Sequence, residues 1–205
     1  MSNKLIIIGA SGHGKVVADI ALKMDNWNEI VFLDDKSINQ SPLELDVMGK
    51  VDDSLHYIDE YEFIVGIGDN KLRESIQSDL ESKGARLATL VHPNAIIGFD
   101  VYIGNGSVIM AGAIINPSSN IGKGCIVNTS ASIDHDNTLS NYVHISPGVH
   151  LAGNVKVGKS TWIGIGSVVS NNLYITTDCK IGAGAAVIKE INTPGTYVGV
   201  PARKV

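Results

Sequence analysis

Asp134-His135-Asp136 is the one place in this chain where an imidazole stands between two carboxylates. A histidine held in a single tautomer by a neighbouring acid is a competent general base at neutral pH, because its pKa lies close to that of the medium. A solvated surface cluster with no task is the plainer reading of the same residues. The other histidines, at 13, 56, 92, 144 and 150, have no flanking acid. A second group gathers near the start: Gly9-Ala10-Ser11-Gly12-His13-Gly14, then Asp34-Asp35, then Gly68-Asp69-Asn70. Glycines between a strand and a helix leave backbone N–H groups and a helix dipole for a phosphate. The spacing is G-x-x-G-x-G rather than the dinucleotide fingerprint, and the unit is small, so a nucleoside diphosphate fits better than NAD. A tight turn without a ligand is the alternative.

Other chemistries find little support. There is no G-x-S-x-G elbow and no activating context around Cys125 or Cys179, which argues against a covalent acyl-enzyme. A three-histidine zinc centre on a coiled β-structure needs histidines that are coil neighbours, and the spacing provides none. Direct attack by an activated acceptor, without metal, is the simpler mechanism.

The elements that must position these groups follow from periodicity. From Ile97 to Val187 every sixth residue is aliphatic, with no slip. A six-residue period marks a parallel β-helix in which three hexapeptides close one coil. The interior of such a coil is packed, so function belongs on its outer faces. The residue four after each aliphatic is mostly small, as at Ala113, Cys125, Ala131 and Ala185, and fits a corner. Cys125 and Cys179 share that phase three coils apart, roughly 14 Å from strand spacing alone, too far for a disulfide. Glycine follows the aliphatic at 98, 104, 122, 158, 164 and 182, where unusual backbone angles at the corner are the expected reason.

Before Ile97 the period changes. Apolar runs at Lys4–Ile8, Ile30–Leu33 and Phe63–Ile67 alternate with helical spacing over Lys15–Met24 and Lys71–Lys83, the latter with Leu72, Ile76 and Leu80 on one stripe. Leu87–Val91 reads as a last strand. Alternating strands and helices predict a Rossmann-like parallel sheet. The expected organisation is therefore an α/β unit over residues 1–90 and an all-β parallel β-helix over 91–205 with a short C-terminal extension. A net charge of −5 without a basic block speaks against nucleic acid. Leu5–Ile8 is too short for a signal core or a membrane span, so a cytoplasmic protein is expected.

Together these segments, with Asn128-Thr129-Ser130, Val143-His144-Ile145-Ser146, Leu151-Ala152-Gly153-Asn154 and the ending Val198-Gly199-Val200-Pro201-Ala202, resemble the hexapeptide-repeat sugar O/N-acetyltransferases. The resemblance spans the chain in order. It points to the subfamily with a Rossmann-like sugar-nucleotide domain, and within it to the UDP-4-amino-sugar N-acetyltransferases of UDP-N,N′-diacetylbacillosamine synthesis. It implies a left-handed β-helix and a homotrimer with active sites between subunits. Acetyl-CoA would be the co-substrate and a UDP-amino sugar the acceptor. By the family's motifs His135 is the general base and Asp136 orients it. Asn128, His144, Gly153, Ile165 and Ala183 fall where CoA or its acetyl group is held. Ser11, Gly12 and His13 meet the pyrophosphate or sugar, and Asp34, Asp35 and Gly68 the uridine end. The rival readings are an O-acetyltransferase of sialic acid, an N-acetyltransferase of GDP-perosamine, and a non-catalytic sugar-nucleotide scaffold. The unbroken coil, and the lack of a long helix after it, lead to the expectation that a lone subunit is inactive.

Overall fold

The computed structural model describes residues 4–36 and 42–205 and divides into two compact units, Met1–Pro93 and Asn94–Val205. In the first unit β1 (Lys4–Ile8), β2 (Glu29–Leu33), β3 (Val47–Gly49), β4 (Glu62–Val65) and β5 (Arg86–Leu87) form one parallel sheet in the order β3-β2-β1-β4-β5. Helices α1 (Gly12–Met24) and α2 (Asn70–Ser82) connect it. A central parallel strand is covered on both faces and must be apolar throughout, and Leu5, Ile6, Ile7 and Ile8 are all fully buried. Strand order reverses on either side of β1. In open parallel sheets the crevice beyond the carboxyl ends at such a switch point receives ligands, and the loops after β1, β2 and β4 open there.

Several boundaries differ from expectation for identifiable reasons. Helix α1 begins at Gly12 rather than Lys15, so Gly12, His13 and Gly14 form its first turn. Gly14 admits no side chain: a Cβ there would lie 1.9 Å from the carbonyl oxygen of Gly9. The buried stripe of α2 is Arg73, Gln77 and Leu80, while Leu72 is half exposed. Apolar spacing missed this because the helix packs two polar side chains inward. Strand β3 also escaped notice, since Val47-Met48-Gly49 is too short to show a period. Leu87–Val91 is not one strand; Arg86–Leu87 closes the sheet and Leu90–Val91 is separate.

The second unit is the left-handed parallel β-helix. Its two-residue strands pair with those 18 residues away, as Ser132 with Ile114 and His150. Three flat faces result. Face one carries Ile114–Ile115, Ser132–Ile133, His150–Leu151 and Val168–Val169; face two carries Asn120–Ile121, Thr138–Leu139 and Lys156–Val157. Face three carries Ile126–Val127, His144–Ile145, Trp162–Ile163 and Cys179–Ile181, and is extended by Gly195–Val198. The second residue of each of these inner strands points inward, and Ile115, Ile133, Ile145 and Ile163 are fully buried. Cys125 and Cys179 are buried free thiols among the corner fillers.

The glycines after the aliphatic residues have another cause than the one expected. Left-handed backbone falls two residues later, at Ser130, Asp136, Asn154 and Gly166 among others. Gly98, Gly104, Gly122, Gly158 and Gly164 instead lack a side chain because the next coil's backbone is in the way. At Gly158 a Cβ would stand 2.5 Å from Thr177 N.

Candidate functional site

His135 follows strand Ser132–Ile133, at the corner between face one and face two. The backbone there is braced from inside the coil. The carbonyl of Asp134 accepts from Asn137 Nδ2 at 2.7 Å and from Ser119 Oγ at 3.0 Å, and Asn137 also reaches the Ala152 carbonyl. Asn137 is completely buried in a position filled elsewhere by small or apolar residues. That break in the corner pattern, directly after His135, is a signal the sequence does carry.

The side chains of the corner are set by this frame. Asp136 has φ of +60°, a left-handed conformation that aspartate tolerates better than most residues. Its Oδ2 lies 2.7 Å from His135 Nδ1. That bond assigns the Nδ1 proton and leaves Nε2 as the basic atom. The ring is well exposed. The hydrogen bond to Asp136, reinforced by the charge of Asp134, raises its pKa above the ordinary imidazole value. On the next coil Gly153 lies directly beneath the ring; a Cβ there would be 2.6 Å from His135 Cε1.

The other residues expected to meet the cofactor gather elsewhere. Asn128 Oδ1 accepts the Thr129 N–H at 2.8 Å, which fixes the amide so that Nδ2 faces His144 Nε2 at 3.3 Å. With the amide so oriented, Nδ2 is the donor and His144 Nε2 the acceptor of that contact. Its ring stacks on Trp162, with centroids 5.8 Å apart and planes 11° from parallel. Trp162 is anchored by Nε1 donating to Ser146 Oγ at 2.6 Å. Ile165 and Ala183 occupy one row on successive coils, joined by Gly184 N donating to the Ile165 carbonyl. Asn128, His144, Ile165 and Ala183 thus line face three and its corner with face one. Gly153 belongs instead to the His135 corner, one prism side away.

In the first unit Ser11 is the N-cap of α1 and makes no side-chain cap bond, and Gly12 and Gly68 have open space where a Cβ would stand. No contact among the described residues demands glycine at either place. Asp34 accepts from Ala10 N at 2.8 Å and ties the end of β2 to the glycine turn. Asp35 accepts from Val51 N. Burial, with the Arg73 guanidinium nearby, pushes the His13 imidazole down to about 4, so it is a neutral hydrogen-bonding group at pH 7. Arg73 is buried and donates to the carbonyls of Ile67 and Gly68 and to Asn70 Oδ1. It shapes the loop after β4, and nothing in the sequence pattern marked it.

Among the described residues no group of three or more His, Cys, Asp or Glu is arranged to hold a metal ion, and no helix is long and apolar enough to cross a membrane.

Comparison with known proteins adds an independent line. Residues 4–80 match the PglD N-terminal domain family. The acetyltransferase domain of PglB from Neisseria gonorrhoeae FA1090, in complex with acetyl coenzyme A, is 37% identical, with a TM-score of 0.96 over 100% of both chains. PerB from Caulobacter crescentus, in complex with CoA and GDP-perosamine, is 31% identical with a TM-score of 0.93, covering 98% of this chain and 97% of that one. The UDP-N-acetylbacillosamine N-acetyltransferase of Bacillus subtilis (strain 168) is 36% identical over 108 residues, 51% of this chain and 50% of the other. The chain spans about half the length of the curated relatives it matches.

Proposed function

The chain belongs to the hexapeptide-repeat sugar N-acetyltransferases that carry a PglD N-terminal domain, and we propose that it transfers the acetyl group of acetyl-CoA to the C4 amine of a UDP-linked 4-amino-4,6-dideoxy sugar. The observation that carries this reading is the His135–Asp136 pair on an exposed corner, with Nε2 directed away from the carboxylate. The amine nitrogen attacks the thioester carbonyl while Nε2 takes its proton. The tetrahedral adduct collapses, the C–S bond breaks, and the proton passes to the departing thiolate as CoA. General-base assistance of this kind contributes about 10²–10⁴-fold. Holding amine and thioester in contact contributes further through orientation.

Acetyl-CoA lies against Asn128, His144, Ile165 and Ala183. The nucleotide end of the acceptor sits on the glycine turn of the first unit, with Ser11, Gly12 and His13 at the pyrophosphate and Asp34, Asp35 and Gly68 near the base. His13, being neutral, contributes a hydrogen bond rather than a charge. Within one chain the His135 corner and the Ile165–Ala183 row are separated by one face, about 20 Å for six extended residues, and the row lies two to three coils further along the axis. Transfer needs them in contact, which favours a homotrimer in which one subunit supplies His135 and its neighbour the acetyl-CoA row. A lone subunit is then inactive.

The test is CoA release with acetyl-CoA and a panel of UDP-, GDP- and dTDP-linked 4-amino sugars, with sialic acid as the hydroxyl acceptor. The UDP sugars are expected to react fastest. A preference for GDP-perosamine would move the substrate to the other nucleotide, and turnover of sialic acid alone would replace N- by O-acetylation. His135→Ala is expected to keep the oligomer and lower kcat by about 10²-fold or more; near-normal turnover would remove the base assignment.

A further inference from the structure

Asn137 carries the chain from the His135–Asp136 pair into the coil, and its amide does more than the side chains that share its place in the repeat. At that corner phase Ser107, Ser119, Thr161 and Ser167 each donate a hydroxyl to a carbonyl fifteen residues on, at Gly122, Asp134, Thr176 and Gly182. Those bonds tie one coil to the next. Asn137 makes the same bond, from Nδ2 to the Ala152 carbonyl at 2.9 Å. It also turns back to its own corner, reaching the Asp134 carbonyl at 2.7 Å and the His135 carbonyl at 3.3 Å.

These acceptors are the main chain around the base. The carbonyls of Asp134 and His135 flank the His135 Cα, and Ala152 immediately precedes Gly153, the residue beneath the imidazole. On the other side of Gly153, Asn154 N donates to the His135 carbonyl at 2.9 Å. Packing of the coil does not by itself ask for asparagine here. Asn137 is completely buried, and its Oδ1 finds no partner among the described residues. A buried acceptor in that state costs stability. Ser119, one coil away, avoids this cost: its Oγ donates to the Asp134 carbonyl and accepts from Asn137 N.

We propose that Asn137 is a positioning residue for His135: its buried amide clamps the corner of the base to the corner that carries Gly153, which keeps the imidazole bonded to Asp136. The role rests on the reading of His135 as the general base, and it is exerted through main-chain carbonyls alone. Nδ2 has two protons, enough for the coil bond and the corner together. The hydroxyl of serine or threonine has one, and the coil bond takes it. Either substitution therefore retains the tie between coils and releases the corner.

The experiment compares Asn137→Ser and Asn137→Thr with the wild-type full chain. Ser107→Ala, which loses a coil bond of the same kind far from the base in sequence, is the control. Kinetics with acetyl-CoA and the best nucleotide-linked amino sugar are measured across pH, with melting temperature and oligomer mass for each variant. The two Asn137 variants are expected to keep the oligomer and an acetyl-CoA KM within about twofold, and to lose kcat roughly tenfold or more, the scale of a reacting group misplaced by about an ångström. Their acid limb is expected at lower pH than in the wild type, because the bond to Asp136 that raises the imidazole pKa is loosened. Ser107→Ala is expected to lower the melting temperature and leave kcat and the limb unchanged. A side chain that only stabilises the coil predicts unchanged kcat per folded oligomer and an unmoved limb in the Asn137 variants. That result, with His135→Ala inactive, overturns the positioning role while the general base stands. Normal turnover by His135→Ala overturns both. Failure of both Asn137 variants to fold also overturns the role, since the coil itself would then require asparagine.

Discussion

The imidazole of His135 rests on the backbone of Gly153, so closely that a single added methyl would stand 2.6 Å from Cε1 and 2.7 Å from Nε2. Gly153 does not need a left-handed backbone, so alanine is conformationally allowed and only the ring is displaced. Because the ring is exposed it can move, but moving breaks the 2.7 Å bond to Asp136. Gly153→Ala should therefore fold normally and lose activity in kcat, by about tenfold or more, the scale set by misplacing a reacting group by about an ångström. Circular dichroism and melting temperature check the fold. Unchanged kcat would mean that the ring does not work in the position it occupies.

With His135 as the proposed base, its bond to Asp136 should also shape the pH profile. The bond to Asp136 and the charge of Asp134 raise the imidazole pKa, so the protonated, inactive form persists to higher pH than in a free histidine. The acid limb of kcat/KM should accordingly lie above the ordinary imidazole value, with activity falling as pH drops through it. Asp136→Asn removes the larger cause, so the limb should move to lower pH while kcat at its plateau falls. A limb that does not move in this variant would assign the titration to another group.

How far the chain discloses this arrangement depends on the kind of contact. The six-residue period named the coil and placed Ile133 inward, which alone put His135 on an outer corner beside Asp136. The approach of Gly153 to His135 was within reach of the period, because 18-residue neighbours are fixed by arithmetic. The stacking of His144 on Trp162 was within reach of the same arithmetic, since the two are 18 residues apart on face three. What periodicity does not reveal is which polar groups turn inward. Arg73 and Gln77 occupy the buried side of α2, where Arg73 donates to the carbonyls of Ile67 and Gly68 just before the helix and Gln77 to Glu81 one turn on, contacts that apolar spacing does not register.

Arg73 offers a test of the first unit that is independent of the β-helix. Its guanidinium serves two carbonyls and the Asn70 amide oxygen from a position 1% exposed. Arg73→Met keeps much of the volume and strands these acceptors, which should cost about 1–3 kcal/mol. The loop after β4 should loosen and UDP-sugar affinity fall, while acetyl-CoA affinity stays unchanged. His13 should titrate at a higher pH than about 4 once the neighbouring charge is gone, yet remain below a free histidine because burial is the larger cause. Its ring signals followed by NMR over pH report this directly. A His13 pKa unmoved by the substitution would exclude Arg73 as its electrostatic neighbour.

Two glycines separate the two reasons for glycine in the coil. At Gly158 a Cβ would lie 2.5 Å from both Thr176 C and Thr177 N, main-chain atoms of the adjoining coil that cannot turn aside. Gly158→Ala should therefore force coils apart and cost roughly 1–3 kcal/mol, the usual scale of overpacking. At Gly166 the space is empty within 4 Å but φ is +66°, so Gly166→Ala should cost only about 1–2 kcal/mol of backbone strain. Asparagine tolerates that conformation, as Asn154 and Asn172 already do with φ of +56° and +59°. Gly166→Asn should consequently recover most of the loss, whereas Gly158→Asn should be no better than alanine. Thermal melts of the four variants decide the matter: rescue by asparagine at 158 would show that backbone conformation, not the approach of the next coil, selects glycine there.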